Sequence, residues 1–332
     1  MIKQSSFEPC KWGKNAHIQT FWPTIIERLQ QISFIPQRLE TEDGDFLDLA
    51  WSAIPVGNCT SPVLVLFHGL EGSVESPYIK RLFRAARKEG WVAILMHFRG
   101  CSGEPNKKIR RYHSGDTSDT DFLLRYLKKR FPKAPLFAIG FSLGGNALLK
   151  YQGEKKEHSP LRAAIAVSVP FKLDRCAAKL ETGFSRVYQK YLMSYLKNNI
   201  KKKMSLLDYS DYISLSEDQI DKLKTFREFD EYITAPIHGF KGADDYYEKC
   251  SSRQYLKDIK NRTLIIQAKD DPFISEDAIP TQQELSENVT LELSDRGGHA
   301  GFISGGSVFS PHYWLEERIP GYIKDRLANR ID

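Results

Sequence analysis

A serine between two glycines is the feature of this sequence with the clearest chemical meaning. Residues 140–144 read Gly-Phe-Ser-Leu-Gly, with an apolar run before them and a helical pattern after them. A serine at such a tight strand-to-helix turn holds its hydroxyl clear of the sheet, where it can act as a nucleophile. We therefore predict that Ser142 is a nucleophile, and that Gly140 and Gly144 let the strand and the helix approach closely.

Two further segments supply a base and an acid for this nucleophile. His299 stands in a glycine-rich loop after the last predicted strand and just before a C-terminal helix, which suits a general base. The apolar run at 263–268 is followed by Asp270 and Asp271, and either can be the acid. We favour Asp271, because it directly precedes Pro272, and keep Asp270 as the alternative acid. The aspartate that is not the acid is expected to cap or brace the loop. The chain order of nucleophile, acid and base is typical of serine hydrolases with this elbow.

An earlier loop can stabilise the negative charge of a reaction intermediate. Residues 63–67 form an apolar run. A His-Gly-Leu turn follows this run, and a helix then starts at Pro77. In enzymes with this elbow, N–H groups from such a loop and from the residue after the nucleophile form an oxyanion hole. We predict Leu70 and Leu143 as these donors, and we expect His68 to hold the loop without transferring protons.

The elements that carry these residues alternate between strands and helices. Such alternation predicts an α/β fold with a mostly parallel sheet that helices cover on both faces. A leading hairpin turns at Asp43-Gly44, and the pattern of Ser118 and Asp121 predicts a cap for one helix. The predicted strands cover residues 63–67, 92–97, 136–139, 163–169, 263–268 and 289–293, and the predicted helices cover 78–88, 118–130 and 146–153.

Six short motifs, spread over roughly residues 10–305, give the sequence a family resemblance. They are Asn15-Ala16-His17-Ile18-Gln19-Thr20, His68-Gly69-Leu70-Glu71-Gly72, Phe98-Arg99-Gly100-Cys101-Ser102-Gly103-Glu104, Tyr112-His113-Ser114-Gly115, Asp270-Asp271-Pro272-Phe273 and Gly298-His299. Together they resemble the YheT-like branch of the α/β-hydrolase superfamily. The resemblance implies serine hydrolase chemistry on esters, with acyl lipids among the candidate substrates. Within these motifs, we expect Arg99 to organise its loop and residues 112–115 to line the pocket.

The segment after the strand at 163–169 contains helical patterns and no clear strand. Members of this superfamily carry a lid over the active site at this point, and we predict that residues 171–259 form such a lid. The whole chain, residues 1–332, is then a single domain with its core at 37–170 and 260–332, and residues 1–36 pack on this core.

Charge divides the predicted lid into two parts. Residues 172–203 contain nine Lys/Arg against two Asp/Glu, whereas acidic residues dominate 204–258. Aromatic residues lie among the basic ones, a pattern that suits peripheral contact with an anionic membrane or a substrate with a phosphate. The alternatives are that the two parts pair with each other, or that Lys201–Lys203 is a solvated turn.

Composition indicates an intracellular enzyme. The five cysteines are scattered and lack CxxC spacing, which argues against a disulfide framework or a zinc site and suits a reducing cytosol. Neither a signal peptide nor a transmembrane run is evident, so we expect a cytoplasmic protein, with peripheral membrane association as the alternative. Nucleic-acid binding is not expected, because no recognised module accompanies the net charge of +6.

These features predict a serine esterase or lipase that needs no metal or organic cofactor. Its substrate is a small-molecule ester or an acyl lipid, cleaved through an acyl-enzyme on Ser142. An acyltransferase with the same three residues is the first alternative, and a non-catalytic binding scaffold is the second. The sequence leaves the acyl-chain length, the head group and the oligomeric state open.

Overall fold

The computed structural model describes residues 1–28, 30–55 and 57–328, and a nine-stranded sheet lies at the centre of this part of the chain. Its strands are β1 (Ile2–Gln4), β2 (Ile35–Glu40), β3 (Phe46–Trp51), β4 (Val63–Phe67), β5 (Val92–Met96), β6 (Leu136–Phe141), β7 (Ala163–Val167), β8 (Thr263–Ala268) and β9 (Val289–Ser294). They lie in the order β1-β9-β8-β7-β6-β4-β5-β3-β2. Along this sheet order, every pair of neighbours between β1 and β5 is parallel. At the other edge, β3 is antiparallel to both β5 and β2.

Strand β4 shows why these apolar runs become buried strands. Its side chains alternate between the faces of the sheet, with Leu64 and Leu66 in one apolar cluster and Val63, Val65 and Phe67 in the other. All five are buried, because helices cover both faces. The predicted mostly parallel sheet with two covered faces is confirmed.

The helices are α1 (Ala16–Glu27), α2 (Pro77–Lys88), α3 (Ser118–Arg130), α4 (Leu143–Lys155), α5 (Leu173–Leu180), α6 (Ser185–Met204), α7 (Glu217–Lys222), α8 (Phe226–Phe229), α9 (Ala235–His238), α10 (Ala243–Cys250) and α11 (Leu315–Leu327). Leu82 of α2 and Ile319 of α11 pack on one face of the sheet. Leu124 of α3 and Leu148 of α4 pack on the other. None of the helices described is long and apolar enough to cross a bilayer.

The segment between β7 and β8 contains α5 to α10 and, among its described residues, no strand. Its apolar side chains form a separate cluster that includes Leu196 and Ile200 of α6. Leu70 and Phe273, which follow β4 and β8, pack against this cluster. The segment therefore lies against loops at the carboxyl ends of the parallel strands. The role of residues 171–259 as a lid over the active site stays a prediction.

Three short features differ from the sequence prediction. Residues Ile2–Gln4 pair with β9 as a parallel edge strand, so the N-terminal segment extends the sheet as well as packing on it. A hairpin, β10 (Ile303–Ser307) with β11 (Ser310–Tyr313), separates the His299 loop from α11. The predicted cap at Ser118 is wrong, because Ser118 is the first residue of α3 and its hydroxyl donates to Asp116 at 2.8 Å. Strand β1 is too short to produce a hydrophobic period, and the two glycines of β10 interrupt one.

Candidate active site

Ser142 stands at the turn between β6 and α4 in strained backbone. Its φ of 51° and ψ of −121° are rarely adopted by residues other than glycine. A Cβ on Gly144 would lie 2.5 Å from the carbonyl oxygen of His68, and one on Gly140 would collide with the carbonyl oxygen of Gly144. Glycine at both positions therefore allows the strand, the helix and the neighbouring loop to meet closely at the serine.

The loop after β4 lies against this serine. A Cβ on Gly69 would be 3.3 Å from the Cβ of Ser142. The backbone N–H groups of Leu70 and Leu143 have no acceptor among the residues described, and both residues line the same cavity as Ser142. Unpaired donors next to a nucleophile are what an oxyanion hole requires, and this role for the two residues stays a prediction.

His68 uses both ring nitrogens to hold the loop. Its Nδ1 donates to the carbonyl oxygen of Gly69 at 2.6 Å, and its Nε2 accepts from the N–H of Phe98 at 3.1 Å. Burial lowers the pKa of His68 to about 3, so the ring is uncharged at neutral pH. This geometry agrees with the predicted structural role of the residue.

Glu71, which follows Leu70, connects this loop to α6. Its φ of 52° is unusual for a residue other than glycine. Its N–H donates to the hydroxyl of Tyr112 at 2.8 Å, and that hydroxyl donates back to the Glu71 carboxylate at 2.8 Å. Arg111 pairs with the carboxylate at 3.2 Å, and the side-chain amide of Asn199 in α6 donates to it. We did not predict this network, although Glu71 and Tyr112 belong to motifs of the family resemblance.

Asp271, and not Asp270, is hydrogen bonded to His299. The carboxylate oxygens of Asp271 lie 2.9 and 3.1 Å from Nδ1 of His299. The N–H of Phe273 donates to the same carboxylate at 2.9 Å, and the Phe273 ring stacks on the imidazole with centroids 4.0 Å apart. Because Nδ1 faces a carboxylate, it carries the proton and leaves Nε2 able to accept one.

Asp270 braces the loop that carries His299. One of its carboxylate oxygens accepts from the N–H of Gly298 at 2.9 Å. Burial raises the pKa of Asp270. This contact agrees with the bracing role that the sequence suggests for the second aspartate of the pair.

Helix α1 holds the other side of the His299 loop. The hydroxyl of Thr20 accepts from the N–H of His299 at 2.9 Å. The buried amide of Gln19 accepts from the N–H of Ile303 at 2.6 Å and donates to its carbonyl oxygen at 3.2 Å. A Cβ on Gly301 would collide with the carbonyl oxygen of Gln19. The Asn-Ala-His-Ile-Gln-Thr motif therefore supports the histidine loop, a role that we did not predict.

Ser142 and His299 line one cavity of about 840 Å³. Most of its wall is apolar, and helices α1, α5, α6 and α8 contribute to it. His113, from the motif expected to line the pocket, does line it. A cavity of this size and character suits an elongated, largely apolar ligand with a few polar groups.

Comparison with known proteins assigns the family. A family model described as alpha/beta hydrolase fold matches residues 62–306. The protein YheT of Escherichia coli (strain K12), whose esterase name is provisional, is 46% identical over 96% of this chain and 93% of its own length. The chain belongs to the α/β-hydrolase family, in its YheT-like branch. The resemblance seen in the motifs is thereby confirmed.

Other relatives of this α/β-hydrolase carry lipase names. Phospholipase ABHD3 of Mus musculus is 30% identical over 92% of this chain and 75% of its own length. The monoacylglycerol lipase of Saccharomyces cerevisiae is 30% identical over 79% of this chain and 59% of its own length. Among solved structures, the Pyrococcus furiosus esterase Pf2001 has a TM-score of 0.57 and 17% identity over 98% of both chains, which shows the shared fold.

The lysines at the carboxyl end of α6 form ion pairs and hydrogen bonds with other parts of this protein. Lys201 forms an ion pair with Asp221 at 2.7 Å. Lys203 is buried and donates to the carbonyl oxygens of Ile109 at 3.2 Å and Arg110 at 3.0 Å, and burial lowers its pKa to about 7. The Lys201–Asp221 pair matches the alternative in which the two parts of the predicted lid bind each other. Tyr191 and Tyr195, which lie earlier in α6, remain exposed.

Proposed function

We propose that this carboxylic ester hydrolase works through an acyl-enzyme formed on Ser142. The observation that supports it best is the Asp271–His299 hydrogen bond at the cavity that Ser142 also lines. Nε2 of His299 has no partner among the residues described and is available as a base. A nucleophile, a base and an orienting acid are the groups that acyl transfer to serine needs.

In the proposed reaction, Ser142 Oγ attacks the carbonyl carbon of the ester while Nε2 of His299 takes the hydroxyl proton. The N–H groups of Leu70 and Leu143 stabilise the oxyanion. The alcohol leaves with the proton from His299, and Ser142 keeps the acyl group. Water, deprotonated by His299, then releases the acid and restores the serine, while Asp271 stabilises the charged imidazole.

The proposed substrate is an ester with a long apolar group, such as an acyl lipid. The mainly apolar wall of the 840 Å³ cavity supports this choice. The names of the mouse phospholipase and the yeast monoacylglycerol lipase point to the same substrate class. Hydrolysis of p-nitrophenyl esters of graded chain length measures the preference directly, and we expect long chains to have the lower KM.

Labelling with a fluorophosphonate probe tests the nucleophile. We expect the wild-type protein to be labelled and Ser142→Ala to lose both labelling and about 10³-fold or more of its ester hydrolysis. Ser194→Ala, which removes an exposed hydroxyl of α6, is the matched control and should behave as wild type. Labelling that survives in Ser142→Ala would overturn the proposal, as would no labelling of folded wild type. Product analysis with added alcohols distinguishes hydrolysis from acyl transfer.

We also propose that the mouth of the cavity contacts a lipid surface peripherally. Five exposed apolar residues surround this mouth: Phe21 and Ile25 of α1, and Val187, Tyr191 and Tyr195 of α6. We call them the apolar rim. The two helices meet where the Tyr188 hydroxyl lies 3.2 Å from Nδ1 of His17. Aromatic side chains that frame an apolar cavity are suited to the boundary between water and lipid.

Flotation with anionic and neutral liposomes tests the apolar rim. We expect the wild type to float with anionic liposomes, and the pair Tyr191→Ser and Tyr195→Ser to lose most of this binding. Tyr232→Ser, at an equally exposed tyrosine outside the cavity, should bind as wild type. Wild type that binds neither liposome, or a rim variant that binds unchanged, would overturn the proposal.

A further inference from the structure

Two histidines that the proposed mechanism does not use line the cavity of Ser142. His113 precedes α3, and His238 is the last residue of α9. Their ring centroids lie 4.6 Å apart, with the ring planes tilted by 58°. The rings of Phe240 and Tyr246 pack edge-on against His113 at 5.4 and 5.7 Å and fix its orientation.

The hydrogen bonds of this histidine pair leave three of its four ring nitrogens without a partner among the described residues. Nδ1 of His113 accepts from the N–H of Gly115 at 3.2 Å and lies 3.7 Å from Sγ of Cys250, which places the ring proton on Nε2. His238, whose pKa shift has no hydrogen-bond contribution, has no hydrogen-bond partner among the residues that the structure describes. Together the pair can offer both donors and acceptors to a ligand.

Both imidazoles are uncharged at neutral pH. Burial lowers the pKa of His113 to about 4 and that of His238 to about 3. An uncharged imidazole has one donor and one acceptor, and a hydroxyl group has the same combination. An alkyl group would leave these polar atoms unpaired, which buried sites disfavour.

The cations near this pair are already neutralised. Arg110 is bound to Asp116 at 2.8 Å, and Arg111 is paired with Glu71 at 3.2 Å. Lys150 is paired with Glu154. A phosphate that reached the two histidines would therefore find no unpaired cation among these groups. The surroundings favour a neutral polar group over an anion.

We propose that His113 and His238 form a hydroxyl-binding subsite that recognises the hydroxyl-bearing part of the ester substrate. The inference rests on the proposed function, because it places the ligand in the same cavity as Ser142. The hydroxyl can belong to the alcohol side of the ester, as in a glycerol ester, or to a hydroxylated acyl chain. In either case His238 sets specificity and does not touch the reacting atoms.

Binding to the Ser142→Ala protein tests the subsite without hydrolysis. Titration calorimetry compares 1-O-octylglycerol with octyl methyl ether, which has the same chain and no hydroxyl. We expect the glycerol ether to bind about 10-fold tighter, since a site that pairs with a hydroxyl rejects analogues without one. Adding His238→Phe should abolish the difference, and His238→Gln, which keeps a donor and an acceptor, should restore part of it.

A matched control and a third ligand sharpen this test. His158→Phe, at an exposed histidine outside the cavity, should leave both affinities unchanged. Equal binding of the two ethers would overturn the subsite. Tighter binding of octyl phosphate than of the glycerol ether would also overturn it, because it would show an anion site.

Turnover by the wild type then identifies the source of the hydroxyl. A lower KM for 1-octanoylglycerol than for methyl octanoate places the subsite on the alcohol side. A lower KM for methyl 3-hydroxyoctanoate places it on the acyl side. If the wild type hydrolyses none of these esters, the proposed function fails, while the binding comparison still decides whether the subsite exists.

Discussion

Among single residues, the two adjacent aspartates offer the cleanest test of catalytic role. Asp271 contacts His299, whereas Asp270 accepts from a backbone N–H. Asparagine keeps an accepting oxygen at either position but no charge to stabilise the imidazolium. We therefore expect Asp271→Asn to lower kcat for a p-nitrophenyl ester by about 10³-fold and Asp270→Asn by less than about 10-fold. A larger loss at Asp270 would contradict the assignment, and the unfolding temperature controls for folding.

The sequence could propose residues of the candidate site where a characteristic local pattern surrounds them. Ser142 stands between the two glycines of its turn, and Asp271 stands between an aspartate and a proline. The role of Glu71 was not predictable, because its partner Asn199 comes from a helix far along the chain. Thr20 likewise acts on His299 across the whole length of the domain. Local patterns contain no information about such distant partners.

Among the helices, α1 supports the loop that carries His299, and a substitution in α1 tests this support. Thr20→Val keeps the shape of the side chain but removes the acceptor of the His299 N–H. We expect kcat to fall about 10-fold or more, since small displacements of a catalytic group are costly, while the unfolding temperature changes little. Steady-state ester hydrolysis measures the effect, and Thr20→Ser should restore it. Full activity of Thr20→Val would refute this role.

Strands and helices with a clear apolar pattern were predicted well, and those without one were missed. The strand at 63–67 was predicted at its observed bounds, because both of its faces are buried and every residue is apolar. Strand β1 has three residues, and β10 contains two glycines, so neither produces a readable period. Their pairing depends on tertiary partners that the local sequence does not specify.

For the whole molecule, buried histidines predict how stability depends on pH. Burial lowers the pKa of His238 from its ordinary 6.5 to about 3. Below pH 6.5 the unfolded chain therefore binds a proton that the folded protein excludes, and folding loses free energy as pH falls. Removing the imidazole removes this loss. His238→Phe should thus gain stability relative to wild type as the solution becomes more acidic.

Urea unfolding at pH 7, 6 and 5 measures this difference. Relative to wild type, we expect the free energy of unfolding of His238→Phe to rise by about 1.4 kcal/mol for each pH unit below 6.5. His158→Phe, at an exposed histidine, should show no such pH dependence relative to wild type. A constant difference between His238→Phe and wild type would contradict the burial of an uncharged imidazole.

The order in which the molecule assembles during synthesis depends on two long-range pairings. Strand β1 pairs with β9, and Gln19 pairs with Ile303. Strand β1 and helix α1 leave the ribosome before their partners, which emerge only with residues 289–303. Contacts between such distant segments form late, because the chain between them must first be closed into a loop. A growing chain can therefore complete the turn at Ser142 well before it acquires the supported His299 loop, and the candidate site becomes whole only after residues 289–303 have been synthesised.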